Sequence, residues 1–154
     1  MVRHGQAQPK KGWRGPDDGR PLVARGRRQA HRLDKVVGSG RPARFISSPA
    51  RRCRQTVEPL AARYGMGVEL SESLATGAGP QAVALCQKVA ASEPHGSTVV
   101  LCTHREVLEV MLPLLVGDAG RRLPHPLPGA KGGAWSLYFE ASRLVEVGYH
   151  PPAA

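Results

Sequence analysis

The chain has 154 residues, of which 41% are hydrophobic and 22% charged, and its formal net charge is +10 at pH 7. This length and composition are typical of one globular domain with a real core, and we expect residues 1–154 to form it. No apolar stretch approaches the length that spans a membrane, and the N-terminus lacks a signal-peptide pattern. Three cysteines without metal-ligand spacing predict reduced core thiols, which suit a cytoplasmic protein.

The excess of positive charge allows three interpretations. A basic surface can bind nucleic acid, it can steer small phosphorylated substrates inward, or it can reflect an arginine-rich composition. The charge is spread along the chain, and the one dense run, 25–32, falls on a predicted helix with an apolar opposite face. We therefore predict no nucleic-acid partner.

The predicted elements alternate between strands and helices. Only two residues precede Arg3, so we expect a truncated first strand. A loop over 6–19 follows, rich in Gly, Pro, Lys and Asp, and a helix then runs from Pro21 to Gly38. The remaining predicted strands are 45–46, 67–70, 98–103, 134–140 and 143–149; the remaining helices are 52–64, 80–91 and 107–115, the last ended by Gly117; residues 121–133 are predicted as loop.

This alternation predicts a three-layer α/β/α sandwich with a mostly parallel sheet. Ligands of such sheets bind at the carboxyl ends of the strands. Three polar motifs follow predicted strand ends: Arg3-His4-Gly5, the segment from Ser48 to Thr56, and His104. The fold would therefore bring these distant motifs to one cleft.

The residue types in these motifs suit phosphoryl transfer. Arginine presents two donors that match phosphate oxygens, so Arg3 and Arg52 are the predicted clamp. His4 is the predicted nucleophile, attacking through a neutral imidazole nitrogen while a backbone carbonyl holds the other. His104 would donate a hydrogen bond to the phosphoryl oxygens. Because these side chains supply the positive charge, we predict no metal and no cofactor.

The motifs together resemble the histidine phosphatase superfamily, the phosphoglycerate mutase-like enzymes with an Arg-His-Gly signature. By this resemblance Arg52 takes the phosphate-binding position, with Arg51 and Arg54 as less favoured neighbours. The segment 20–30 is similar to the family's Pro-Leu-x-x-x-Gly-x-x-Gln-Ala pattern. The resemblance covers residues 3 to about 149 and implies a phosphoglycerate mutase-like fold.

Within the superfamily the chain is similar to two groups. One is the short phosphohistidine phosphatases of the SixA type. The other is the phosphatase domain fused to MutT-like Nudix hydrolases in actinobacteria, which shares segments like 13–18, 53–61 and 131–137. The resemblance implies a small phosphorylated substrate, such as a nucleotide, or a phosphohistidine protein.

The general acid is the least defined part of the predicted site. Glu72 is the candidate by position, with Asp17 and Asp18 as loop alternatives, and SixA-like members manage without an obvious acid. Arg20 and Lys131 are predicted substrate contacts.

The sequence thus predicts a metal-independent phosphatase that forms phospho-His4. The alternative is a non-catalytic phosphate-binding module of the same fold, acting with a Nudix-type hydrolase. A deep cleft ringed by Arg14, Arg20 and Lys131 would favour nucleotides, and a flat one would favour a protein substrate. The oligomeric state is not predicted.

Overall fold

A computed structural model describes residues 1–118 and 122–154, and the first residue of the predicted 121–133 loop lies outside them. The described residues form six strands and five helices, which mostly alternate. The strands are β1 (Val2–Arg3), β2 (Arg44–Ser47), β3 (Glu69–Leu70), β4 (Val99–Thr103), β5 (Ala134–Glu140) and β6 (Arg143–His150). The helices are α1 (Ala24–His31), α2 (Asp34–Val37), α3 (Arg51–Arg63), α4 (Gly79–Ser92) and α5 (Arg105–Asp118).

The six strands form one sheet in the order β3-β2-β4-β1-β5-β6. The first four are mutually parallel, whereas β5 runs antiparallel to both β1 and β6. The last two strands form a hairpin whose turn residues, Ala141 and Ser142, both have positive φ, as a two-residue turn between twisted strands requires. The predicted mostly parallel sheet is confirmed.

Each face of the sheet carries its own apolar core, which confirms the three-layer prediction. On one face, α4 and α5 pack over side chains such as Ile46, Leu101 and Trp135. On the other, α3 and the short α2 cover Phe45, Val100 and neighbouring residues. All three cysteines are free and buried in these cores, as predicted.

Two helix predictions need correction. The helix predicted up to Gly38 is broken into α1 and α2 by a turn at Arg32–Leu33, a break that the continuous apolar spacing does not show. Helix α5 runs through Gly117 to Asp118 instead of ending there. A glycine in the last turn costs only about 1 kcal/mol relative to alanine, so it does not force a helix to end.

Strand β1 is only two residues long, yet it lies in the middle of the sheet. Val2 pairs with Cys102 of β4 on one side and with Ala134 of β5 on the other. The amino group of Met1 donates to the Trp135 carbonyl at 2.7 Å, and the Trp135 amide donates back to the Met1 carbonyl at 2.7 Å. These bonds fix the direction in which the chain leaves β1 and therefore place the residues that follow Arg3.

Among residues 1–118 and 122–154, no helix is both long enough and apolar enough to cross a membrane.

Candidate active site

The three polar motifs meet in one cleft of about 360 Å³ beyond the carboxyl ends of β1, β2 and β4. The convergence follows from the parallel pairing of these three strands, which puts their carboxyl ends at the same edge of the sheet. Six predicted site residues line the cleft: Arg3, His4, Arg20, Arg52, His104 and Lys131.

The imidazole of His4 is buried and held in one orientation. Its Nδ1 lies 2.8 Å from the carbonyl oxygen of Gly5, so Nδ1 carries the proton and Nε2 is left with its lone pair. The pKa of His4 is lowered to about 3, chiefly by burial, with smaller contributions from the charges of His104, Arg52 and Arg3 and with the Gly5 carbonyl opposing the shift. The ring is therefore neutral near pH 7, as a nitrogen nucleophile must be.

Side chains of α3 and α1 hold the loop that follows His4. The Gly5 amide donates to Thr56 Oγ1 at 3.0 Å, and that hydroxyl donates to the Arg52 carbonyl at 2.7 Å. The Gln6 amide donates to Gln29 Oε1 at 2.9 Å. Hydrogen bonds from both α3 and α1 therefore position the loop that follows His4.

Close backbone packing explains the glycine of α1 in the 20–30 segment. A Cβ on Gly26 would lie 2.1 Å from the carbonyl oxygen of Gln6, a distance at which the loop after His4 would have to move. Gln29 also reaches the far wall of the cleft, where its Nε2 donates to the Lys131 carbonyl at 2.7 Å. Helix α1 thereby ties the loop after His4 to the Lys131 segment.

Arg52 is 2% exposed and is anchored to the loop between β1 and α1. Its Nη1 donates to the Asp17 carbonyl at 2.8 Å, and its Nη2 lies 3.0 Å from Asp17 Oδ2. The same Nη2 donates to His104 Nδ1 at 3.2 Å. Its Nε is buried without a hydrogen-bond partner among the described residues. Asp17 and His104 thus fix this guanidinium, which places a positive charge in the cleft.

The second imidazole, His104, is 1% exposed and faces the first. Because Nδ1 accepts from Arg52, the proton sits on Nε2, which donates to Ser48 Oγ at 2.9 Å. Cys53 Sγ lies 3.6 Å from the same Nε2. The His4 and His104 rings stand edge to face with centroids 5.4 Å apart.

Ser48 precedes α3 but does not cap it. A serine followed by proline is typical of an N-cap and a first helical turn, but the N-cap position belongs to Ala50, which makes no side-chain cap bond. Ser48 Oγ accepts from the Ala50 amide at 3.3 Å and from His104. Ser48 thus supports His104, which lies 56 positions later in the sequence.

Other cations complete the wall around His4. Arg3 Nη1 donates to the Gly129 carbonyl, and Arg3 Nε is buried without a partner among the described residues. Burial and the nearby positive charges of Arg3, Arg20 and Arg25 lower the pKa of Lys131. Such repulsion among cations is relieved when an anion binds between them.

Of the candidate general acids Glu72, Asp17 and Asp18, only Asp17 lies in the cleft lining. Glu72 is exposed on a single 3-10 turn, Glu72–Leu74, and is absent from the cleft lining, as are the exposed Asp18 and Arg14. Asp17 does line the cleft, but it accepts from Arg20 Nε at 2.8 Å and pairs with Arg52. The cleft also holds Glu106 and Lys10, which the sequence reasoning did not assign to the site.

No group of three or more His, Cys, Asp and Glu side chains in the described parts of the chain is arranged to hold a metal ion.

The depressed pKa of His4 makes stability depend on pH. In the unfolded chain His4 takes up a proton near its ordinary pKa of 6.5, whereas in the folded protein it does so only near 3. Between these values the unfolded state binds more protons, so the free energy of unfolding falls as the pH falls. Denaturant titrations near pH 7 and ~pH 5 should show that His4→Asn loses less stability on acidification than the wild type.

His31→Asn is the matched control, because His31 is exposed at the end of α1. It should behave as the wild type does. An equal acid-induced loss in wild type and His4→Asn would mean that His4 titrates normally in the folded protein.

The chain matches known proteins over this same region. The model of the histidine phosphatase superfamily (branch 1) matches residues 1–76, which contain Arg3, His4 and Arg52. An 8-oxo-(d)GTP phosphatase of Mycolicibacterium smegmatis is 30% identical over 159 residues, which cover 99% of this chain and 47% of that protein. The chain therefore spans about half the length of this relative.

Solved structures share the architecture. YhfR of Bacillus stearothermophilus superposes with a TM-score of 0.75 at 17% identity, covering 94% of this chain and 92% of that one. The protein histidine phosphatase SixA complexed with tungstate superposes with a TM-score of 0.72 at 19% identity, covering 98% and 94%. At these identities the likeness shows a common fold. The family match and the shared fold agree with the motif spacing: over residues 1–76 the chain is similar to the histidine phosphatase superfamily, and its fold is that of SixA and YhfR.

Proposed function

We propose that this protein is a phosphoric monoester hydrolase that works through a phosphohistidine at His4. The observation that carries the proposal is the state of that imidazole: it is neutral, with Nδ1 fixed on the Gly5 carbonyl and Nε2 available in a cleft lined by Arg3 and Arg52. The match to the superfamily's model and the names of the relatives support the same activity.

In the first step, His4 Nε2 attacks the phosphorus of a substrate phosphoryl group and the bond to the leaving group breaks. Arg3 and Arg52 neutralise the phosphoryl oxygens, because guanidinium donors match their geometry. In the second step, water attacks the phosphohistidine, phosphate leaves, and the electron pair of the broken P–N bond returns to Nε2.

His104 has a defined task in this scheme. In the structure its Nδ1 accepts a hydrogen bond from Arg52. When phosphoryl oxygens take that guanidinium, the neutral ring can change tautomer: the proton leaves Nε2, and Nδ1–H donates to the same group. Ser48 keeps the ring in place during this exchange, because its hydroxyl can then donate to Nε2.

We further propose a small substrate that carries an additional anionic group, such as a nucleotide. The cleft is concave, and beside the clamp it is lined by Lys10, Arg20 and Lys131, which are suited to a second phosphate. The substrate named for the mycolicibacterial relative is in keeping with this choice. A phosphohistidine protein is the second candidate, favoured by the SixA likeness.

We also infer a cytoplasmic location and a partner. The buried free thiols suit the reducing cytoplasm. A Nudix-type hydrolase is a candidate partner, since the family groups that the sequence resembles include such fusions. A non-catalytic module in that partnership is the rival function.

The test is phosphate release from an aryl phosphate, a nucleoside mono-, di- and triphosphate series and a phosphohistidine peptide, all with EDTA present. We expect EDTA-resistant turnover and a phosphoenzyme that is acid-labile and alkali-stable. No turnover and no phosphoenzyme from folded protein would favour the non-catalytic module. Turnover that EDTA abolishes would overturn the metal-independent mechanism.

A substitution of Lys131 tests the proposed preference for a nucleotide. Lys131→Gln should raise KM about 5- to 20-fold for a nucleoside diphosphate and change it little for an aryl phosphate, since one charge contact contributes roughly 1–2 kcal/mol. Lys35→Gln is the control, because Lys35 is exposed on α2 outside the cleft. Equal effects of Lys131→Gln on both substrates would argue against a second anion contact at this residue.

A further inference from the structure

The cleft is lined by two carboxyl groups, Asp17 and Glu106, and they differ in what surrounds them. Asp17 is bound by two guanidinium groups, those of Arg20 at 2.8 Å and Arg52 at 3.0 Å. The hydrogen bond from Arg20 lowers the pKa of Asp17 most, and the charge of Arg52 adds to the effect. Asp17 therefore stays ionised, and its part is to hold Arg52.

Glu106 is placed differently. It lies in the first turn of α5, two residues after His104, and it is exposed. Its neighbour Arg105 pairs instead with Glu109, at 2.5 Å between Nε and Oε1. Among the described residues Glu106 makes no side-chain hydrogen bond and no ion pair, so its carboxyl group is available to the cleft.

Glu106 also lies near the clamp. Burial lowers the pKa of Arg3, the charge of Arg105 lowers it further, and the charges of Glu106, Glu109 and Tyr149 oppose both. Of the two carboxylates, Glu106 lines the cleft and Glu109 does not. A carboxyl group at this place in the cleft can supply the proton that a leaving oxygen needs.

We propose that Glu106 is the proton donor to the leaving group, an inference that rests on the proposed phosphatase function. As His4 Nε2 bonds to phosphorus, the bond from phosphorus to the leaving oxygen breaks and that oxygen takes the proton of the Glu106 carboxyl. The carboxylate then accepts a proton from the water that attacks the phosphohistidine. The carboxyl group is thereby restored for the next turnover.

The structure favours a different general acid from the one that the sequence predicts. Glu72 is the candidate by family position, but the structure leaves it exposed on its 3-10 turn and away from the cleft lining. Glu106 is the carboxyl group that both lines the cleft and is free of an arginine partner among the described residues.

The test compares substrates whose leaving groups differ in basicity. A dinitrophenolate leaves without a proton, whereas an alkoxide needs one. Glu106→Gln should therefore lower kcat/KM for an alkyl phosphate by about 10²- to 10⁴-fold, the usual contribution of a general acid. For dinitrophenyl phosphate the loss should stay below about tenfold, because protonation contributes little there.

Glu109→Gln is the matched control on the same helix. Both substrates should turn over at near wild-type rates in this variant, since the Glu109 carboxylate only pairs with an exposed arginine. Glu72→Gln tests the other candidate for the general acid. The inference is overturned if Glu106→Gln slows both substrates equally or neither, or if Glu72→Gln shows the dependence on leaving group. Wild-type turnover of dinitrophenyl phosphate that depends on His4 tests the phosphatase function separately.

Discussion

His4→Asn should abolish turnover while leaving the fold and the anion site intact. An asparagine amide can take the place of Nδ1 and keep the hydrogen bond to the Gly5 carbonyl, which in the native protein is 2.8 Å long. It has no atom at the position of Nε2. Because the proposed reaction passes through a bond to Nε2, we expect kcat to fall by at least about 10⁴-fold, as for the loss of other enzyme nucleophiles.

Two further measurements define this result. Rapid acid-free quenching should trap a phosphoenzyme in the wild type and none in His4→Asn. Inorganic phosphate should still raise the unfolding temperature of the variant, because Arg3 and Arg52 remain. A variant that keeps a phosphoenzyme would show that another residue is the nucleophile.

Arg52→Lys should be nearly as damaging although it keeps the charge. Arg52 uses separate nitrogens for the Asp17 carbonyl at 2.8 Å and for His104 at 3.2 Å. A lysine ammonium is a single point that cannot make both contacts and clamp a phosphoryl group as well. We expect kcat/KM to fall by about 10²- to 10³-fold, the range for a lost transition-state donor.

The adjacent arginines provide matched controls. Arg51 and Arg54 are exposed on the first turn of α3 and do not line the cleft. Arg51→Lys and Arg54→Lys should therefore stay within about twofold of wild type, as most exposed substitutions do. If one of them were as slow as Arg52→Lys, that arginine would be the phosphate-binding residue of this segment in place of Arg52.

Much of the fold could be read from the sequence because local signals and tertiary structure agree. The apolar run before His104 has the β-branched character of a buried strand, and it is β4. The break between α1 and α2 could not be read, since Leu33 and Val36 continue the apolar spacing across it and both are buried. The spacing of apolar residues indicates which side of a helix faces the core, but it does not indicate where a turn interrupts the helix.

The candidate site could also be predicted only in part. Arg3, His4, Arg52 and His104 stand in short motifs directly after strands, so their meeting follows from topology. The supporting contacts could not be predicted, because they join residues far apart in sequence. Ser48 resembles a helix cap in its local context, and only the folded chain shows that His104 takes its hydroxyl oxygen.

The central position of β1 has a consequence for how activity appears during folding. Its hydrogen bonds to β5 join Met1 to a residue 134 positions away. Contacts that close such long loops slow folding. A chain that has gained its helices but not this pairing would contain every side chain of the candidate site without a fixed place for His4. Recovery of catalysis is therefore a stricter measure of refolding than recovery of helical content.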